Sequence, residues 1–114
     1  MAKPEIEFKD YDTHWQWRPV VGDMFGIKEK TLSEDPETGD YTRMLKFPPG
    51  IETKETLMHD FWEEVLIVEG SLYDIAKKET YLPGFYACRP PGMKHGPYRI
   101  PYGCVTFEIR YYKK

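Results

Sequence analysis

An all-β domain is what this sequence predicts, and three observations predict it. Nine glycines and ten prolines punctuate 114 residues, leaving few stretches long enough for a helix of ordinary length. Aromatic residues make up 16 % of the chain, which suits a pleated, half-buried surface. The run Cys104 to Tyr112 alternates Val105, Phe107, Ile109 and Tyr111 with Thr106, Glu108 and Arg110, the period of two that a strand requires. Short strands at close spacing with almost no helix indicate a sandwich or a small barrel, and the length is that of one compact domain.

Taken in order, residues 1–22 hold Phe8, Tyr11, Trp15 and Trp17 among charged residues without a regular period. So many aromatics argue against a disordered tail, and the segment is expected to lie as an arm across the domain or across a partner. Asp23 to Thr31 is bounded by Gly22 and Gly26 and fits one short strand. Residues 33–40 stack turn formers around Pro36 and Gly39 ahead of the alternating run Tyr41 to Phe47, a hairpin signal that Pro48-Pro49-Gly50 then stops.

Helix and strand compete over residues 51–69. Leu57, Phe61, Val65 and Val68 fall on one helical stripe. The β-branched run ending at Gly70 favours a strand over 63–69. Beyond it, Pro83-Gly84, Pro90-Pro91-Gly92, Gly96-Pro97 and Pro101-Tyr102-Gly103 leave space only for short strands.

Charge and hydropathy exclude some partners. Sixteen Lys and Arg against nineteen Asp and Glu give a formal −3, so there is no basic footprint for a nucleic-acid backbone. The longest apolar run, Val65-Leu66-Ile67-Val68, is far short of the roughly 20 residues that span a bilayer. No secretory leader is visible, and the expected location is the cytoplasm. There Cys88 and Cys104, without CxxC spacing, are expected as two free, buried thiols. Apolar Leu66 and Val68 on an outward face, with Trp15 and Trp17, point to a homodimer.

Three histidines can be weighed one by one. His14 sits in the aromatic arm with nothing resembling a ligand set and is expected to be structural or exposed. His59 precedes Glu63 by four residues, an imidazole and a carboxylate of the kind that begin a metal site. His95 follows the rigid turn Pro90-Pro91-Gly92, which would fix its direction.

Together these residues stand in two motifs that resemble those of the cupin superfamily. Gly50 through Gly70 is similar to G-x5-6-H-x-H-x3-E-x6-G, with His59 on the second histidine, Glu63 on the glutamate and Leu57 where the first histidine would stand. Gly84-x5-Pro90-Pro91-Gly92-x2-His95 matches G-x5-P-x-G-x2-H, with Arg99 in the position of the following asparagine. The stretches from Glu63 to Asp74, Leu82 to Tyr86 and Arg89 to Gly92, and the Gly103-Cys104 pair, look like the ChrR-type cupins. That group includes the metal-binding domain of a zinc anti-sigma factor and domains proposed as small dioxygenases.

The resemblance implies a cupin (double-stranded β-helix, jelly-roll) barrel over residues 23–114, behind the arm at 1–22. It also implies a divalent metal held by His59, Glu63 and His95: Fe(II) or Zn(II) foremost, with Mn(II) as a third choice. If 57–59 and 63–69 are adjacent strands, His59 and Glu63 point into one interior. Val65 and Ile67 then line it beside them, with Glu64, Leu66 and Val68 on the opposite face. Leu57, Val65, Ile67, Arg43 and Arg99 are the pocket candidates, the two arginines as anion anchors. Glu52, Glu55 or a tyrosine is open as a replacement for the missing ligand.

The function this implies is a mononuclear metal enzyme, dioxygenase-like, acting on a small oxygen-bearing molecule. The alternatives are a non-catalytic barrel that senses a metal or small ligand, and a metal-free cupin in which His59, Glu63 and His95 hydrogen-bond one another. No residue is assigned a catalytic role beyond metal binding.

Overall fold

Glycine and proline set the strand ends. The computed structural model describes residues 3–112. Met1, Ala2, Lys113 and Lys114, which the arm and barrel spans include, lie outside the described residues. One short helix, α1 (Tyr11–His14), capped by Asp10, is followed by ten strands. They are β1 (Arg18–Pro19), β2 (Lys28–Glu34), β3 (Tyr41–Phe47), β4 (Ile51–Glu52), β5 (Trp62–Gly70), β6 (Leu72–Asp74), β7 (Glu79–Tyr81), β8 (Tyr86–Arg89), β9 (Tyr98–Ile100) and β10 (Cys104–Tyr111). The strand expected at 23–31 lies further along, at β2. The helical stripe of 51–69 does not form, because Trp62 to Gly70 pairs with β10 on one side and β8 on the other.

The expected barrel is not what forms. The strands make two separate sheets, six-stranded β1-β2-β3-β10-β5-β8 and four-stranded β4-β9-β6-β7, and the two are not closed into a barrel. Closure needs edge strands long enough to pair across the gap. The edges here are β1, which ends in Pro19, β8, β4 and β7, each of two to four residues. Proline and glycine turns stop them before a ladder can extend. The sheets instead pack face to face through Ile67 and Cys104 of the large sheet and Ile51 and Ile100 of the small one.

The chain passes from the large sheet to the small one at Gly70-Ser71. Gly70 has φ +77°, and a Cβ there would lie 2.1 Å from the Gly103 carbonyl oxygen. Only glycine lets the two connections cross this closely. In β5 the inward set is Glu63, Val65 and Ile67, all buried, with Leu66 and Val68 exposed. β10, the central partner, turns Thr106, Glu108 and Arg110 to the same side, opposite Ile67, Val65 and Glu63.

The N-terminal segment lies on the other side of the large sheet. Lys30 of β2 is buried there. Its ammonium donates to the Tyr11 carbonyl at 2.7 Å and sits over the rings of Tyr11 and Trp17. Lys46 of β3 also approaches Trp17, and Lys3 donates to the Thr42 hydroxyl. The carbonyl bond and the two ring contacts offset the cost of burying the Lys30 ammonium.

Candidate metal centre

Three backbone features bring the site together. β5 aims Glu63 inward by its period of two. Leu57 and His95 form an isolated antiparallel bridge, with Leu57 N–H donating to the His95 carbonyl at 2.7 Å and His95 N–H to the Leu57 carbonyl at 2.9 Å. The Gly92 N–H donates to the His59 carbonyl at 2.9 Å. The segment 57–59 is therefore tied to 92–95, the second motif, and not to β5 as the adjacent-strand expectation had it.

The result is a group in which His59, Glu63 and His95 each offer a ligand atom within 4.8 Å of the others. A first-row metal with bonds of about 2.0–2.2 Å sets its ligand atoms about 3–4 Å apart, so the three would draw in slightly around an ion. His95 Nδ1 is 3.2 Å from the Tyr98 hydroxyl, and its Nε2 is buried with no hydrogen-bond partner among the described residues. A buried ring nitrogen without a partner is costly unless something meets it. Burial is the main cause that moves both imidazoles down, His95 to about 4 with the Arg89 charge adding to the effect. At neutral pH both are uncharged, the form that can donate a lone pair to a cation. The donor set fits a divalent metal.

Glu63 has further partners. Arg89 donates to its Oε1 at 2.8 Å and Arg110 to its Oε2 at 2.9 Å. Burial alone would raise its pKa, but the two guanidinium groups outweigh it and hold the carboxyl below its ordinary value. Each oxygen keeps a second lone pair for an ion. The charges continue across the sheet: Arg110 lies 3.7 Å from Glu108, Glu108 binds Arg43 at 3.1 Å, and Arg43 binds Glu29 at 2.7 Å. Acid and base alternate along this row, so the inner wall is polar yet neutral overall.

A cavity of about 620 Å³ between the sheets is lined by all three candidate ligands together with Leu57, Val65 and Tyr98. A second, of about 470 Å³, shares Val65, Arg89, His95 and Tyr98 with it and reaches Ile67. Leu57, Val65 and Ile67 thus border these spaces. Arg43 faces inward, but its guanidinium is bound by Glu29 and Glu108, and it lines neither cavity. Arg99 is exposed and paired with Glu52 at 3.1 Å. Neither arginine is a free anion anchor. Glu52 and Glu55 line the larger cavity, but no fourth His, Cys, Asp or Glu joins the ligand group among the described residues. His14 is exposed, with its ring edge-on to Trp15. Cys104 is buried and free as expected, whereas Cys88 is exposed, because β8 is an edge strand and turns it outward beside Glu64.

Sequence reasoning missed Arg89, Arg110 and Tyr98. The alternation in β10 was a signal for Arg110, since its polar face pairs in register with Glu63 and Arg43.

The chain matches the model of the ChrR cupin-like domain over residues 10–111. It belongs to that family. No sequence among curated proteins matches it. Among solved structures, this ChrR-like cupin is similar to an acetylacetone dioxygenase from Acinetobacter johnsonii at 19 % identity, over 97 % of this chain and 75 % of that one, with a TM-score of 0.71. It is also similar to an RmlC-like cupin from Shewanella frigidimarina at 18 % identity, over 100 % and 96 % of the two chains, TM-score 0.74. The polyketide cyclase RemF from Streptomyces resistomycificus matches at 18 % identity over 95 % and 81 %, TM-score 0.70. At these identities the likeness is one of fold.

Proposed function

We propose that this ChrR-like cupin is a mononuclear metal enzyme of dioxygenase type that acts on a small oxygen-bearing molecule. The observation that carries the reading is the convergence of His59, Glu63 and His95 on one cavity, with the buried Nε2 of His95 lacking a hydrogen-bond partner among the described residues. An acetylacetone dioxygenase among the similar structures supports the reaction class. Two imidazoles and one carboxylate suit Fe(II) and Zn(II), with Mn(II) also accommodated.

His59, Glu63 and His95 would hold the ion. When bound, it supplies dioxygen activation if Fe(II), or polarisation of a carbonyl if Zn(II) or Mn(II). The chain's own residues do the rest. Arg89 and Arg110 keep Glu63 ionised. Tyr98 accepts from Arg89 at 2.9 Å and orients the His95 ring. Phe61 stacks on His59 with ring centroids 4.7 Å apart and fixes that imidazole from the other side. Leu57 and Val65 keep the space beside the ligands apolar, so that bulk water is excluded around a bound molecule.

The test is metal analysis of protein purified without an affinity tag, followed by oxygen uptake with a β-diketone. Stoichiometric metal that is lost in Glu63→Gln and His95→Ala, together with diketone-dependent oxygen uptake, is the expected result. A second reading, a metal-free binding cupin, is favoured by one observation: both Glu63 oxygens already accept from arginines. Metal retention equal to that of an unrelated protein would decide for it. Metal without turnover of any chelating substrate would leave a sensor.

A further inference from the structure

The larger cavity contains a second buried polar atom without a partner, and it lies away from the candidate ligands. Thr106 is 3 % exposed, and its Oγ1 has no hydrogen-bond partner among the described residues. It lines the same cavity as His59, Glu63 and His95. In register it sits between Leu45 of β3 and Ile67 of β5, both buried. Valine would fill that place equally well and would leave no hydroxyl to satisfy.

β10 links this point to the site. Thr106, Glu108 and Arg110 face inward in turn, and Arg110 holds Glu63. Arg110 lies four positions along the strand from Thr106, about 13 Å at about 3.3 Å per residue. The two arginines of this stretch, Arg43 of β3 and Arg110 of β10, are already bound to carboxylates, which favours an uncharged tail over an anionic one.

We propose that Thr106 is a specificity residue, whose hydroxyl receives the far end of an elongated, uncharged ligand. Such a ligand carries an oxygen-chelating head at His59, Glu63 and His95, an apolar middle, and a hydroxyl or carbonyl at its tail. This rests on the metal-enzyme reading above and adds the substrate class to it. Thr106 touches the tail and takes no part in the chemistry at the head. A hydroxyl that both donates and accepts can meet either kind of tail.

Two probes test it: acetylacetone lengthened at one end by a four-carbon chain that ends in a methyl group, and the same molecule ending in a hydroxyl. Binding to the Zn(II)-loaded protein is measured by calorimetry for wild type, Thr106→Val and Thr106→Ser, with zinc content measured for each. Wild type should bind the hydroxyl probe about five- to tenfold more tightly than the methyl probe, the worth of one hydrogen bond. Thr106→Val should lose that preference with zinc content and methyl-probe affinity unchanged, and Thr106→Ser should retain most of it. Equal affinities for the two probes in zinc-loaded wild type would overturn the proposal and leave the metal reading standing. So would a preference that survives in Thr106→Val. If wild type takes up no zinc, the metal reading fails. A Thr106-dependent preference for a terminal hydroxyl, measured on the metal-free protein with the same probes, would then still uphold the tail site, and its absence would overturn that as well.

Discussion

Leu57 and His95 exchange both of their backbone hydrogen bonds, at 2.7 and 2.9 Å. In such an antiparallel pair the two side chains stand on the same face, about 5 Å apart at Cβ. The residue that departs from the cupin histidine pattern is thereby placed beside a candidate ligand, at the rim of the same cavity.

Leu57→His should for that reason add an imidazole to the group. Zinc affinity is expected to rise at least about tenfold, while binding of a chelating diketone weakens because one of its positions on the metal is taken. Competition against a chromogenic chelator measures the first effect, and diketone titration the second. Unchanged values for both would mean that residue 57 does not face the ion.

Tyr98→Phe removes the hydroxyl that meets His95 Nδ1 and Arg89 and keeps the ring. The imidazole loses its orienting partner, so metal affinity should fall about 10-fold or more. Folding stability should change by only about 1 kcal/mol. Chelator competition and urea melts separate the two. A large loss of stability with metal affinity intact would make Tyr98 a packing residue only.

The thiols should differ in reactivity. Cys104 is buried and its pKa is pushed up to about 11 by that burial, whereas Cys88 is exposed on an edge strand. Iodoacetamide at pH 8 should label one thiol per native chain and two after denaturation. Because the folded pKa of Cys104 lies above its ordinary 9.0, the fold holds a proton that the unfolded chain releases. This stabilisation is complete below pH 9 and is lost as the pH rises through about 11. Cys104→Ala should remove its share of the alkaline slope in thermal melts, leaving the part due to tyrosines such as Tyr41 and Tyr98, whose pKa values burial also raises.

Gly70→Ala should be among the most damaging single changes outside the site. It forces alanine to φ +77° and sets a Cβ 2.1 Å from the Gly103 oxygen, where the two sheets are joined. A loss of about 3 kcal/mol or more in denaturant melts is expected. Gly39→Ala also has positive φ, but it faces open space and should cost only about 1 kcal/mol.

A homodimer is proposed on the outward face of β5 and β8, where Leu66, Val68 and Tyr86 are exposed. Light scattering should give twice the chain mass of 13.5 kDa, and Leu66→Glu should halve it. A mass of one chain for wild type would end the proposal.

The sequence by itself determined the strand punctuation, the shared face of Glu63, Val65 and Ile67, and the two motifs that carry His59, Glu63 and His95. The first two follow from local rules, since proline and glycine stop strands and side chains alternate along them, and the third from the resemblance to the cupin motifs. Only the tertiary structure decided that the two sheets stay open, since closure depends on whether distant edges are long enough to meet. It also decided that β10 turns its polar residues inward. Alternation shows which residues share a face but not which face is inside. In β10 that choice was made by neighbours in register, because Glu63 and Arg43 supply the charges that make Arg110 and Glu108 stable in the interior.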